Sequence, residues 1–211
     1  MTLENLKQKI LSQMLIIFTR YLIGAAFAFS SIVKISGNRF TNDSGADNPI
    51  NSAWHFFETL YQSGIYWKFL GLAQLMAGFL LMTQRFARLG AVVFLPIILN
   101  IFIITISYDF RGTPVITGLM LFATLLLLFW EKDQLKIFWN QQPVLPKVNA
   151  LEFHIGWQWI GLVLFLFVSS NKAGVKLLGI LPWIGITALI VIVGAFLTIR
   201  DHKKHFHSDK Y

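Results

Sequence analysis

The sequence predicts an all-α membrane protein, a polytopic bundle of six transmembrane helices. Apolar runs near 20 residues long recur along the chain, which is the length needed to cross a hydrocarbon core about 30 Å thick. Only 13% of the residues are charged and 55% are hydrophobic, against about 25% charged in soluble domains. The runs are continuous rather than alternating, which favours helices over the strands of a membrane barrel.

The first predicted span covers residues 14–33. An amphipathic lead-in, residues 1–13, precedes it, with Leu3, Leu6, Ile10 and Leu11 on one side. That spacing is typical of a helix lying in the membrane interface. The apolar stretch is too long for a secretory signal peptide and ends without a small-residue cleavage site.

A polar loop is predicted next, over residues 36–65, because Gly, Asn, Asp and Ser dominate its first half. Within it Trp54, Phe57 and Leu60 fall on one helical face, before Gly64. This pattern predicts a short interfacial or re-entrant helix that ends at the glycine.

The second and third spans are predicted at residues 69–82 and 89–107, joined by a tight turn, and therefore form an antiparallel hairpin. Pro114 begins the fourth span, which ends near Trp130. These helices complete a four-helix core over residues 14–140. A linker at 141–152 leads to two further helices within 153–199, predicted at 155–169 and 177–199, and to a polar tail at 200–211.

Lysine and arginine are distributed unequally between the two predicted sides of the membrane. With the amino terminus inside, eleven lie on the inner side: Lys7, Lys9, Arg85, Arg88, Lys132, Lys136, Lys147, Arg200, Lys203, Lys204 and Lys210. Six lie outside: Lys34, Arg39, Lys68, Arg111, Lys172 and Lys176. The asymmetry predicts both termini in the cytoplasm and location in the inner (cytoplasmic) membrane. The net charge of +8 is explained by these loops, so nucleic acid is not an expected partner; the lipid bilayer is.

Several segments carry a family resemblance. RYLIGAAFAFSSIVKI opens with Arg20 and closes near Lys34, GLAQLMAGFLL contains Gln74, RFARLG forms a turn, and PIILN ends at Asn100. In this order the segments resemble the DoxX family of small four-helix membrane proteins, over a little more than half the chain. Gln74 stands where relatives often carry glutamate, and the last two spans are additions to the four-helix core.

The resemblance implies a membrane subunit of a redox system, with a quinone as the candidate ligand and no covalently bound cofactor. The chain has no cysteine, which excludes thiolate-ligated clusters of its own, so an oxidoreductase activity would need a redox partner protein. The alternative is a non-catalytic membrane scaffold or a small-solute transporter. No metal site is predicted, since His202, His205 and His207 are typical of a solvated tail. The sequence does not predict the oligomeric state.

Polar residues inside the spans are the candidate site, because unpaired polar groups in lipid cost several kcal/mol. Arg20 either reaches the inner surface or pairs structurally, or it binds an anionic head group or a quinone oxygen. Lys34 is either an interface anchor or a ligand-binding group. Gln74 and Asn100 are predicted at similar depth on adjacent helices, either as a packing hydrogen bond or as a polar site in the outer half of the bundle.

Four more polar residues are predicted on the outer side: His55, Glu58, Asp109 and Arg111. They would either cap a cleft above Gln74 and Asn100 or remain solvated surface groups. In the first case Glu58 or His55 would exchange protons with a bound quinone.

Overall fold

The computed structural model describes residues 3–41, 43–144, 151–170 and 179–208, with side chains described as far as His202. The described residues are helical with no strand, which confirms the predicted all-α bundle. The helices are α1 (Leu3–Lys7), α2 (Ile10–Ile35), α3 (Ala53–Gln62), α4 (Ile65–Met82), α5 (Ala87–Ser107), α6 (Thr113–Trp130), α7 (Lys132–Leu135), α8 (Ile155–Ser169) and α9 (Ile180–Ser208). Two 3₁₀ turns lie at Lys136–Trp139 and Leu151–Phe153.

Five helices, α2, α4, α5, α6 and α9, are long and apolar enough to cross a membrane. The chain is therefore a multi-pass membrane protein. The fifth predicted span, α8, has the predicted bounds but only 15 residues, or about 22 Å at the helical rise. It is apolar yet shorter than a full bilayer crossing requires.

The amino-terminal lead-in differs from its prediction. A break at residues 8–9 separates α1 from α2, which starts at Ile10. Leu3 and Leu6 pack against the core of the bundle, whereas Ile10 and Leu11 are 46% and 81% exposed. The apolar residues of the lead-in therefore do not share one surface, because the break redirects the chain between the two pairs.

The long helix α2 is the centre of the bundle. On one side it packs with α4, α5 and α6 around Ile23, Phe27, Phe94 and Ile98. On the other it packs with α8 and α9 around a second core that includes Trp157. The C-terminal helices therefore add a second layer to the four-helix unit.

Two glycines bring α2 and α4 into close contact. A methyl group on Gly78 would lie 2.7 Å from the carbonyl oxygen of Gly24, and one on Gly24 would lie 2.9 Å from that of Gly78. Gly71 faces the base of the Lys34 side chain in the same way, at 2.8 Å. These glycines therefore allow the backbones of α2 and α4 to pack closely.

The bundle has two ends that differ in composition. The amino-terminal end holds α1, the turn at residues 83–86, α7 and the 3₁₀ turn Leu151–Phe153, while the loop end holds residues 36–64 and 108–112. Residues 145–150 of the predicted linker and 177–178 of the predicted sixth span lie outside the described residues, as do Lys172, Lys176 and the last three residues of the tail. The first part of that tail, 200–208, continues α9 as helix.

Candidate functional site

Arg20 lies at the centre of a buried group of charges at the amino-terminal end of the bundle. Arg20 is only 3% exposed, so its side chain does not reach the surface. One guanidinium nitrogen lies 2.6 Å from Glu131 Oε1 and 3.7 Å from Glu152 Oε2. The other donates to Gln84 Oε1 at 3.0 Å. We call Arg20, Gln84, Glu131 and Glu152 the Arg20 cluster.

Four separate segments supply the Arg20 cluster. Arg20 projects from α2, and Glu131 follows the last residue of α6. Gln84 lies in the tight turn between α4 and α5 with a backbone φ of 57°, a left-handed conformation that directs the chain back toward α2. Glu152 lies in the 3₁₀ turn that precedes α8. The cluster therefore ties the four-helix unit to the C-terminal helices.

The two carboxylates have further partners. Glu152 Oε2 accepts a hydrogen bond from the Trp130 indole at 3.1 Å, and its backbone N–H donates to Gln13 at 3.1 Å. Glu131 Oε2 lies 3.5 Å from Arg88 Nε. Burial raises the pKa of Glu152, and the nearby Glu131 charge adds to that effect, while Arg20 opposes it. Glu152 thus holds a proton more readily than an ordinary glutamate does.

A cavity of about 230 Å³ lies beside the Arg20 cluster. The Arg20 cluster forms one part of its wall, and residues of the α4–α5 turn, of α5 and near the start of α8 form the rim. Its lining consists of Arg20, Gln84, Arg85, Arg88, Glu131, Glu152, Phe153 and Gln158. Arg85 and Arg88 are exposed, so the cavity joins a buried ion-pair network to the surface of the protein.

A second ion pair lies at the loop end. Arg39 donates two hydrogen bonds to the Glu58 carboxylate, at 2.8 and 3.0 Å. The Gly45 N–H at 3.2 Å and the Gln62 amide at 3.1 Å complete its partners. These hydrogen bonds, led by those from Arg39, lower the pKa of Glu58 to about 2. Glu58 is therefore a stable anion that fastens the loop, which does not favour the predicted proton exchange.

Lys34 lies near this loop. It is buried, whereas an anchor at the membrane interface would extend its ammonium group into water. Its ammonium group is 5.1 Å from the centre of the Phe40 ring and 5.3 Å from that of Trp67. It also donates to the Ser30 carbonyl at 3.3 Å. Stacking of a cation on two aromatic faces gives Lys34 a packing role between α2, α4 and the loop.

The predicted hydrogen bond between Gln74 and Asn100 is not formed. Gln74 is buried, and its Oε1 has no hydrogen-bond partner. Asn100 is exposed on α5. Gln74 instead shares the α4 face of Gly71 and Gly78, which packs on α2. The sequence predicted a similar depth for both residues, but it did not predict the rotation of α4 and α5 that separates their side chains.

The other predicted outer residues do not converge on a cleft. Asp109 is exposed in the turn after α5, with a backbone φ of 44°. Arg111 is exposed in the same turn, with a φ of 31°. His55 belongs to α3, and its Nδ1 is buried without a partner. The structure therefore gathers charged groups beside Arg20, at the opposite end from the predicted outer site.

Sequence reasoning missed Gln84, Glu131 and Glu152, which it left in a turn and in the linker region. One signal was available. A buried arginine requires a carboxylate, and Glu131 and Glu152 stand among only ten acidic residues in the chain. Glu131 directly follows one apolar segment and Glu152 shortly precedes another, on the side of the membrane predicted for the start of the Arg20 span, so charge balance pointed to them.

No family model matches the chain, and no solved structure matches it. It is similar to the uncharacterized protein YwoB of Bacillus subtilis (strain 168), with 31% identity over 102 residues. The match covers 48% of this chain and 64% of that protein, so the chain spans less than two thirds of its relative.

Proposed function

We propose that the chain is a DoxX-like membrane subunit of a redox system and that a quinone head group binds in the cavity beside Arg20. The observation that carries the proposal is that cavity itself. It adjoins buried ionised groups at one end of a membrane-spanning bundle. Clusters of charges inside membrane proteins are functional sites by default, since burying them is costly.

The size and lining of the cavity suit a head group. About 230 Å³ is below the roughly 300–1,000 Å³ of pockets that enclose a whole drug-sized ligand. A lipid-soluble quinone would therefore place its ring in the cavity and its tail along the apolar helices. Phe153 offers the ring an apolar contact, while Arg85, Arg88 and Gln158 offer hydrogen-bond donors to its oxygens.

The residues also suit the proton and charge balance of the reaction. Quinone reduction requires protons together with electrons. Glu152, whose pKa is raised, is placed to hold and donate a proton at the cavity wall. The arginines stabilise negative charge at the same place. A chain without cysteine holds no thiolate-ligated cluster of its own, and we assign the supply of electrons to a redox partner protein.

Titration of decylubiquinone into the purified protein in lipid nanodiscs tests the proposal. Arg85→Gln removes the charged guanidinium donors of a rim side chain. The side-chain contact of Arg85 is with the Phe86 ring, at 5.7 Å, so we expect the fold to be retained. We expect it to weaken binding about tenfold, the effect of losing one hydrogen bond to a charged group. Lys132→Gln removes the same charge at the same end, but Lys132 contacts Phe129 instead and serves as the matched control.

Equal, saturable binding by wild type and both variants would remove the cavity as the site. An absence of binding in wild type would favour the alternative, a non-catalytic membrane scaffold. One observation supports that alternative: the Arg20 cluster joins four segments through mutually paired charges. A small-solute transporter is less well supported, because an apolar layer of Ile23, Phe27, Phe94 and Ile98 lies between the two ends of the described bundle.

We also propose that the amino-terminal end faces the cytoplasm across the inner membrane. The excess of lysine and arginine in the segments predicted at that end supports this orientation. The Arg20 cavity would then open to the cytoplasmic side, where a soluble electron donor has access. A reporter domain inserted at Gly64 should be detected outside the cell; detection in the cytoplasm would reverse the orientation.

A further inference from the structure

Asn100 is a polar group on the exterior of the most apolar part of the bundle. It lies three residues beyond the middle of α5, Ile97, in a span with a mean hydropathy of 2.7. Its side chain is exposed, and the hydrogen bonds of the described residues include none from it. Pro96, Leu99 and Ile103 surround it on the exposed face.

A carboxamide in this position has an unmet requirement. It carries two N–H donors and an acceptor oxygen, and lipid tails can satisfy neither. Asn100 is about 4.5 Å from the centre of its helix along the axis, with a further seven residues before the helix ends at Ser107. A short asparagine side chain cannot reach water from there, unlike a long lysine or arginine.

We infer that α5 is the interface of a homodimer in which Asn100 pairs with Asn100 of a second copy. The carboxamide is self-complementary, since each can donate to and accept from an identical group. Two copies with the same topology, related by a twofold axis along the membrane normal, place Asn100 at the same depth without further adjustment. A second copy inserted in the same orientation therefore carries a complementary carboxamide at the depth of Asn100.

The faces beside Asn100 fit this arrangement. Leu99 and Ile103 are 42% and 54% exposed, so they can pack across the twofold axis on either side of the polar pair. The proposed interface is separate from the Arg20 cavity. The α5 residue that lines the cavity is Arg88, which lies about three helical turns from Asn100.

The absence of native cysteine permits a direct test by cross-linking in lipid vesicles. Ile103→Cys retains Asn100 and places one thiol on the same face, one turn along α5. We expect copper phenanthroline to convert it to a disulfide-linked dimer. Leu119→Cys, on the exposed face of α6 (63% exposed), is the matched control and should remain monomeric at the same protein-to-lipid ratio.

The contribution of Asn100 is then measured by adding Asn100→Leu to Ile103→Cys. The dimer dissociation constant should rise about fivefold or more, the effect of losing the interhelical hydrogen bonds of the Asn100 pair in a membrane. Asn100→Gln, which keeps the carboxamide, should retain most of the dimer. Because Asn100 is exposed, its replacement should leave the melting temperature of dilute monomer unchanged, which separates loss of the dimer from misfolding. Equal cross-linking with and without Asn100, or none from Ile103→Cys, would overturn the inference.

Discussion

The two ends of the bundle each contain an arginine–glutamate pair, but one end buries both partners and the other buries only the glutamate. At the amino-terminal end the Arg20 and Glu131 side chains are both less than 10% exposed, and a second carboxylate, Glu152, shares the arginine. At the loop end Glu58 is buried whereas the Arg39 side chain is 40% exposed. The Arg20 cluster therefore depends on complete mutual pairing, and the loop pair depends on hydrogen bonds to one anion.

The strongest test of this comparison is Arg20→Leu. It would leave Glu131 and Glu152 buried together without their shared cation, a situation that costs roughly 3–5 kcal/mol. Unfolding followed by circular dichroism in mild detergent should show the loss. Arg39→Leu is the matched variant at the loop end and should be milder, because its side chain is already partly solvated. Equal effects, or no effect from Arg20→Leu, would contradict the distinction between the two ends.

A smaller effect is the opposite response of Glu58 and Glu152 to acid. The pKa of Glu58 is lowered to about 2, so its contribution is complete above its ordinary value near 4.5 and is lost as the pH falls toward 2. The pKa of Glu152 is raised by burial. The folded state therefore takes up this proton first, and the contribution of Glu152 declines as the pH rises above its ordinary value.

Paired Glu→Gln variants measure these slopes. Relative to wild type, the destabilisation caused by Glu58→Gln should be about 1 kcal/mol near neutral pH and should shrink as the pH falls below 4.5. The stability difference between wild type and Glu152→Gln should move in favour of wild type as the pH falls from neutral toward 4.5, because the raised pKa of Glu152 places its change above that value. Parallel slopes in chemical unfolding at pH 3 to 7 would show that the two carboxylates occupy equivalent environments.

The smallest effect is expected between the two ends, at Gln74. Its Oε1 is buried without a donor, so Gln74→Leu should leave the free energy of unfolding unchanged or raise it by up to about 1 kcal/mol. In the monomer, Gln74→Leu and Asn100→Leu should be additive, because the two side chains do not hydrogen-bond. Strong destabilisation by Gln74→Leu, with non-additivity, would restore the pair expected from the sequence and place a third polar site between the two ends.

The sequence predicted most of the helical architecture, since periodicity and length decide it locally. The bounds of α8, the Trp130 end of α6 and the short helix near residues 53–62 agree with the predicted segments. The break after α1 was missed, because nothing in the spacing of Leu3, Leu6, Ile10 and Leu11 distinguishes one helix from two.

The candidate site was predicted less well. The sequence identified Arg20 as costly to bury, because a charge in an apolar run is visible without knowledge of its neighbours. Its partners were decided by the tertiary structure, which brings together residues separated by 64 and 111 positions. Likewise, the sequence predicted one depth for Gln74 and Asn100, whereas the packing of α4 turned Gln74 inward and the packing of α5 left Asn100 exposed. Depth follows from the helical rise along a single chain, whereas the direction of a side chain around its helix is settled by which neighbours that helix buries.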